Sequence, residues 1–294
     1  MNVSVIGIGN LGAALASALL SAGYRVTVYN RTRSKAERLR TRGAQIVNTA
    51  SEAIRASSHT IVVLFDEKST REVLLAKETR DALHDKALIS AALMTSDECV
   101  ALAKEVGATG GRLSEVNFIT YPDKVEAREA EALLACVQSD KGAWHEIFGA
   151  FSRKGKVYDV GSVGNASKAQ LSLILSYVFL TAAIANSLAA FEKLNLPVPV
   201  IQNILTDSPA VAIGDANKQI AEMSRREYGS GRWSINNMIS TIDQAAEFAM
   251  ALKMDTTAMT AIRQIYARAA SMGYGTRDIT SVYEAIYPRG PVQG

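Results

Sequence analysis

The chain has 294 residues, 48% of them hydrophobic, and a formal net charge of +3 at pH 7. That length supports a packed core and one large domain or two moderate ones. The mild charge, with no basic cluster interleaved with aromatics, excludes a nucleic-acid footprint. Cys99 and Cys136, the only cysteines, lack metal-ligand spacing, so no metal site is expected and a reducing compartment is. A strand starting two residues after Met1 leaves no room for a secretory leader, so a cytoplasmic location is expected.

The first predicted elements are the most informative. Val3-Ser4-Val5-Ile6 is a β-branched run entering Gly7-Ile8-Gly9-Asn10-Leu11-Gly12, and Ala13 to Leu20 follows as a strong helix former. Strand, Gly-x-Gly-x-x-Gly turn and helix in that order form a dinucleotide-binding pattern. Gly7 serves the tight turn, Gly9 leaves room for a pyrophosphate, and Gly12 lets the helix close on the strand. Asn10 and Leu11 open a helix whose free N–H groups face the phosphates. The next strand, Arg25 to Tyr29, ends in Asn30-Arg31-Thr32-Arg33-Ser34-Lys35. An NAD-selective site places a carboxylate here, about 20 residues past the glycines. This chain has Arg31, Arg33 and Lys35 instead, with Asn30 and Thr32 as neutral donors, and guanidinium groups grip a 2′-phosphate. The cofactor expected is NADPH.

Further along, helices over Ser34–Gly43 (Ser34 as N-cap), Ser51–Ala56, Ser69–Leu75 and Ser96–Val106 alternate with strands over Gln45–Val47, Thr60–Phe65 and Lys86–Ser90. This alternation predicts right-handed βαβ units and a parallel sheet. Ligands of such sheets sit beyond the carboxyl ends of the strands, which nominates Leu64-Phe65-Asp66 and Ser90-Ala91-Ala92 as the cofactor rim. Strands over Phe118–Tyr121, Leu133–Gln138 and Val157–Val160, with a helix over Trp144–Phe151, continue the sheet.

From Ala166 a helical pattern runs to about Leu194, roughly 40 Å at about 1.5 Å per residue. Its apolar run, Leu171 to Leu188, is broken by Ser, Thr and Asn and predicts a buried helix rather than a membrane span. Helices follow over Pro199–Thr206, Ala212–Glu222, Ile239–Leu252, Thr256–Met272 and Ile279–Ile286, and the tail after Arg289 is expected to fray. The fold class is α/β: an N-terminal nucleotide-binding domain (residues 1–162), then a long interdomain helix and an all-helical C-terminal domain (residues 163–294).

This organisation resembles the β-hydroxyacid dehydrogenase superfamily, and within it the imine reductases. The matching residues are Gly7-Ile8-Gly9-Asn10-Leu11-Gly12, Asn30-Arg31-Thr32, Tyr121-Pro122-Asp123, Glu131-Ala132-Leu133-Leu134, and Gly161-x-x-Gly164-x-Ala166-Ser167 opening the long helix. The resemblance implies a Rossmann domain, an intertwined homodimer and a cleft closed by the partner subunit's helical half.

Two departures stand out. Where the dehydrogenases carry a proton-relaying Lys, and imine reductases Asp or Tyr, this chain has Gln170, and an Asn one turn on is Ile174. The carboxylate-holding Ser-Gly-Gly is replaced by Asp123-Lys124-Val125. Hydroxyacid oxidation is therefore not expected. Lys168 lies about 200° around the helix from Gln170 and does not replace the missing Lys. Gln170, Ile174, Tyr177 and Thr181 share one face. Gln170 can orient a substrate but cannot supply a proton, whereas Tyr177 can. Asp207, Trp233, Asn236, Asn237 and Asp243 are polar or aromatic candidates from the helical half, for which capping or packing is the preferred reading. His59, His84 and His145 are given no chemistry.

Three functions compete. The first is NADPH-dependent reduction of a C=N bond in a small-molecule cyclic imine or iminium. The second is NADPH-dependent reduction of a carbonyl or conjugated C=C bond. The third is binding of cofactor or metabolite without turnover, as the missing ionisable group at Gln170 suggests.

Overall fold

A computed structural model describes residues 1–152, 156–207, 216–229 and 233–288. The chain divides into two compact units, Met1–Tyr177 and Val178–Gly294.

The first unit is built on an eight-stranded sheet of order β3-β2-β1-β4-β5-β6-β7-β8. Its strands are β1 (Asn2–Ile6), β2 (Arg25–Tyr29), β3 (Gln45–Ile46), β4 (His59–Val62), β5 (Ala87–Ser90), β6 (Arg112–Phe118), β7 (Ala132–Ala135) and β8 (Val157–Gly161). The strand order reverses between β1 and β4, so a crevice opens beyond their carboxyl ends. The expected all-parallel sheet needs one correction: β7 runs antiparallel to β6. The turn that allows this is the short α7 (Pro122–Glu126), which Tyr121 N-caps with Pro122 in the first turn, where its missing N–H costs nothing. Tyr121 therefore lies outside the strand predicted for it, and β6 lies earlier than expected. The physical reason is that Arg-Leu-Ser-Glu-Val-Asn-Phe reads as polar, yet Ser114, Glu115 and Asn117 are all buried. Their partners come from other elements.

The helices of this unit are α1 (Asn10–Ser21), α2 (Arg33–Glu37), α3 (Ala50–Ala56), α4 (Glu67–Leu74), α5 (Lys77–Arg80), α6 (Ser96–Gly107), α7 and α8 (Lys141–Phe148). Local chemistry sets their starts. The Asp66 carboxylate accepts the Ser69 N–H (2.8 Å) at α4, and Thr95 with Glu98 forms a capping box at α6. For α2 the N-cap is Thr32 rather than the expected Ser34, and the helix ends at Glu37, before a 3-10 turn closed by Gly43. One face of the sheet packs Leu15, Leu19, Trp144 and Phe148. Leu74, Leu83 and Leu102 belong to a second buried cluster.

The long helix α9 (Asn165–Lys193) matches its expected limits, and Asn195 (φ 55°) with Pro197 ends it. Within a single chain this helix, expected to be buried and to pack against a second subunit, is exposed: by length and composition it could cross a membrane, and none of its apolar window (mean hydropathy 1.8) is buried. Leu175 and Phe179 are each 65% exposed. An amphipathic helix would turn such residues inward, but α9 is apolar around most of its circumference, so no single packed face can cover it.

The second unit continues with α10 (Val198–Asp207), α11 (Ala216–Arg225), α12 (Ile235–Ala251), α13 (Thr257–Ala269) and α14 (Tyr283–Ile286). The first residues of the helix expected from Ala212, and the expected frayed tail, lie outside the described residues. Its small core joins Ile235, Ala269, Val282 and Ala285. Beside it, buried Glu284 pairs with Arg226 and accepts from the Tyr228 hydroxyl (2.7 Å).

Candidate functional site

The glycine turn is held by contacts that only glycine permits. Gly7 has φ +93°, and a Cβ there would stand 2.1 Å from the Val63 carbonyl oxygen. A Cβ on Gly12 would stand 1.9 Å from the Gly7 oxygen. We expect Gly12→Ala to destabilise the domain by at least about 2 kcal/mol through overpacking, read as a lower urea midpoint. An unchanged midpoint would mean that the turn tolerates the methyl.

Asn30 locks this turn to β2. Its Oδ1 accepts the Ile8 N–H (2.8 Å) while its Nδ2 donates to the Thr32 carbonyl (2.8 Å). A cavity of about 370 Å³ opens against the turn, lined by Gly7, Gly9, Asn30, Arg31, Thr32 and Lys35 on one side. Leu64, Phe65, Ser69, Glu72 and Val73 line it on the other side. The residues fit a dinucleotide. Nothing stands within 4 Å of a Cβ built on Gly9, so the backbone at the start of α1 is open to a phosphate. Phe65, 88% exposed, presents a flat apolar ring at the rim.

The basic residues divide. Arg31 and Lys35 line the cavity, and their side chains make no hydrogen bond or ion pair among the described residues. Arg33, also nominated from the sequence, turns away: its Nε meets the Glu37 carboxylate at 3.0 Å, and its guanidinium also bonds Asn48. Asn10 lies at the exposed start of α1. Ser90 is fully buried in β5, accepts the Ala92 N–H (3.3 Å), and lines neither this cavity nor the next.

A second cavity, about 180 Å³, lies past the start of α1. Leu11, Ala91, Leu93 and Phe118 give it apolar walls, and Asn117, Thr120 and Gln170 are its polar groups. Among the described residues, no ionisable side chain lines it. The Gln170 Oε1 is buried there without a hydrogen-bond partner. A buried carboxamide oxygen left unpaired costs about 1–3 kcal/mol. Lys168 is exposed and Gln170 half-buried, as the helix rotation requires. Tyr177, about two turns further along, does not line the cavity. Its hydroxyl is 2.8 Å from that of Tyr121. That hydrogen bond holds the Tyr121 hydroxyl above the ordinary tyrosine range. Sequence reasoning noted Tyr121 only as part of a motif.

The start of α9 is held by a residue the sequence reading missed. Glu115 on β6 is 1% exposed, and its carboxylate accepts the Gly164 N–H (2.8 Å) and the Ser167 hydroxyl. A negative charge at a helix N-terminus is favourable, and this one anchors the turn that carries Gln170. Its neighbour Cys99 is pushed up to about 12, by burial first and then by the Glu115 charge. Burial pushes Cys136 up to about 12 as well, so neither thiol is a nucleophile at neutral pH.

Other candidates serve the second unit's own structure. Asp243 pairs with Arg263 (3.0 Å), the Asn237 N–H is capped by the Ser234 hydroxyl (3.2 Å), and Asn236 packs against Gly275. Trp233 is partly exposed, and the side chain of Asp207 lies outside the described residues.

Residues 2–157 match the NAD binding domain of 6-phosphogluconate dehydrogenase. The chain belongs to that family. It is an NAD(P)-dependent oxidoreductase. Glyoxylate/succinic semialdehyde reductase 1 of Arabidopsis thaliana is 25% identical, over 97% of this chain and 98% of that protein. The cytokine-like nuclear factor N-PAC of Homo sapiens is 22% identical over 96% of this chain, which spans about half (51%) of N-PAC. The imine reductase from Myxococcus stipitatus in complex with NADP+ has the same fold: TM-score 0.89 and 19% identity, covering 97% of this chain and 100% of that one.

Proposed function

We propose that this oxidoreductase is an NADPH-dependent reductase of C=N bonds, acting on a small cyclic imine or iminium. The observation that carries the reading is the inner cavity. It offers carboxamides and a hydroxyl but no ionisable group, with a carboxamide at Gln170 whose buried oxygen has no partner. Carbonyl reduction develops an alkoxide that needs an acid or strong donor beside it. A charged C=N carbon needs neither. A reduced nicotinamide, when bound, supplies the hydride, and in an imine already protonated or N-alkylated the C=N electron pair becomes the amine lone pair, so no proton is drawn from the protein in that step. Gly7, Gly9, Asn10, Leu11 and Gly12 would hold the pyrophosphate side of the cofactor. Arg31 and Lys35, whose side chains are unpaired among the described residues, would meet the 2′-phosphate, and this is what favours NADPH over NADH. The similarity to an imine reductase described with NADP+ supports the same choice.

The hydroxyl pair of Tyr121 and Tyr177 favours a second reading, reduction of a carbonyl or conjugated C=C bond with Tyr177 as acid. A spectrophotometric screen following NADPH oxidation with cyclic imines, ketones and enones separates the two. Imine turnover without ketone turnover supports the first, and the reverse supports the second. NADPH binding with no turnover would leave a binding protein.

We also infer that a second copy of the chain covers α9, as in the dimers its sequence resembles. Exposed Leu175, Phe179 and Ile184 form an apolar surface too large for a solvated helix. Sedimentation should give twice the chain mass, and Phe179→Glu should yield monomers. A monomeric native protein that floats with lipid vesicles would assign α9 to a membrane instead.

A further inference from the structure

We propose that Asn117 is a specificity-determining residue of the inner cavity, presenting its Oδ1 as a fixed acceptor for the N–H of a protonated imine. The inference rests on the C=N reading above and names the form of substrate that the site selects.

Glu115 on β6 sets the orientation of Asn117. Asn117 stands two residues further along β6, on the same side of the strand, and is 2% exposed. Its Nδ2 donates to the Glu115 Oε1 at 3.3 Å. The Glu115 carboxylate is ringed by donors: the Gly164 N–H, the Ser167 hydroxyl and the Cys99 thiol lie on it as well. A carboxylate only accepts, so Asn117 must present its amino end to Glu115 and its oxygen elsewhere. Asn117 lines the cavity that also holds Gln170. The other two polar groups there have no fixed polarity. The Thr120 hydroxyl rotates, and the Gln170 carboxamide has no hydrogen-bond partner that fixes which end faces the cavity. Asn117 alone combines burial with a set direction.

A fixed acceptor discriminates between substrates. It is repelled by a carbonyl oxygen gaining negative charge, and it pairs with an N–H that carries positive charge. A protonated cyclic imine has that N–H, whereas an N-methyl iminium of the same ring has the charge and the reactive carbon but no N–H. Glu115 is then a positioning residue: it touches no substrate and sets which end of Asn117 faces the cavity.

The test compares 1-pyrroline, assayed where it is protonated, with N-methyl-1-pyrrolinium, using the full chain and NADPH. Asn117→Ala should raise KM for 1-pyrroline roughly 10- to 100-fold, the range for losing a charge-assisted hydrogen bond, and leave KM for the N-methyl compound unchanged. Glu115→Gln keeps the volume but lets the amide turn, so it should give a smaller loss with the same selectivity. Circular dichroism melts show that the variants are folded, and the N-methyl substrate is an internal control for cavity damage. Equal losses on both substrates in both variants, or no loss on either, would overturn the role of Asn117 while leaving C=N reduction intact. A native protein that reduces neither compound would overturn the C=N reading and this inference with it.

Discussion

Arg31→Ala is expected to raise the Kd for NADPH about 100-fold and to change the Kd for NADH by less than about threefold. Arg31 is exposed at the end of β2, lines the outer cavity and has no partner to leave. Binding a 2′-phosphate therefore costs it no broken ion pair, and a forked, charge-assisted contact contributes about 1.5–3 kcal/mol. NADH has a hydroxyl where NADPH has the phosphate, so the same substitution removes little from it. Arg33→Ala provides the internal comparison. That guanidinium already holds Glu37 and Asn48, so its loss should weaken NADPH by much less than the loss of Arg31. The measurement is a fluorescence titration of each variant with both cofactors. Equal weakening of NADPH and NADH by Arg31→Ala would mean that it supports the fold of the β2 turn and not the phosphate.

Gln170→Asp is expected to produce the second large effect, a gain of about 100-fold in kcat for neutral imines and carbonyls, the lower range for a positioned general acid. The new carboxyl would stand in a cavity walled by Leu11, Ala91, Leu93 and Phe118, with no cation lining it. Desolvation disfavours the charged form, so its pKa is raised above the ordinary carboxylate range. The acid acts in its protonated form. The gain is therefore present below that raised pKa and disappears as pH rises through it, whereas the native Gln170 contributes no such titration. A pH profile of kcat for both forms reads this directly. A variant with no gain at low pH, while still binding NADPH, would show that Gln170 does not face the reacting atoms.

How much of this was legible in the sequence depended on what each residue's neighbours were. The glycine turn was readable because its three glycines meet backbone that precedes or follows them in a fixed strand–turn–helix order, so local pattern carries the geometry. Gln170 was found by counting from Gly161 and Gly164, since a helix fixes which residues share a face. Arg33 and Lys35 could not be ranked, because their roles turn on which side chain finds Glu37, a rotamer outcome that a list of charges does not contain. Glu115 and Asn117 were missed for a related reason. A strand with three buried polar residues looks like a loop until the donors at Gly164 and Ser167, far along the chain, are seen to satisfy it. The composition of α9 disclosed its apolarity and length but not what covers it, since burial belongs to the assembly and the helix is exposed within one chain.

The most direct test of the account's central claim is the oxidation of NADPH by the purified protein in the presence of a protonated cyclic imine, with a matched cyclic ketone and with NADH as comparisons. The account predicts saturable turnover of the imine with NADPH, at least tenfold slower turnover with NADH, and none with the ketone. Ketone reduction at the imine's rate, or indifference to the 2′-phosphate, would contradict it.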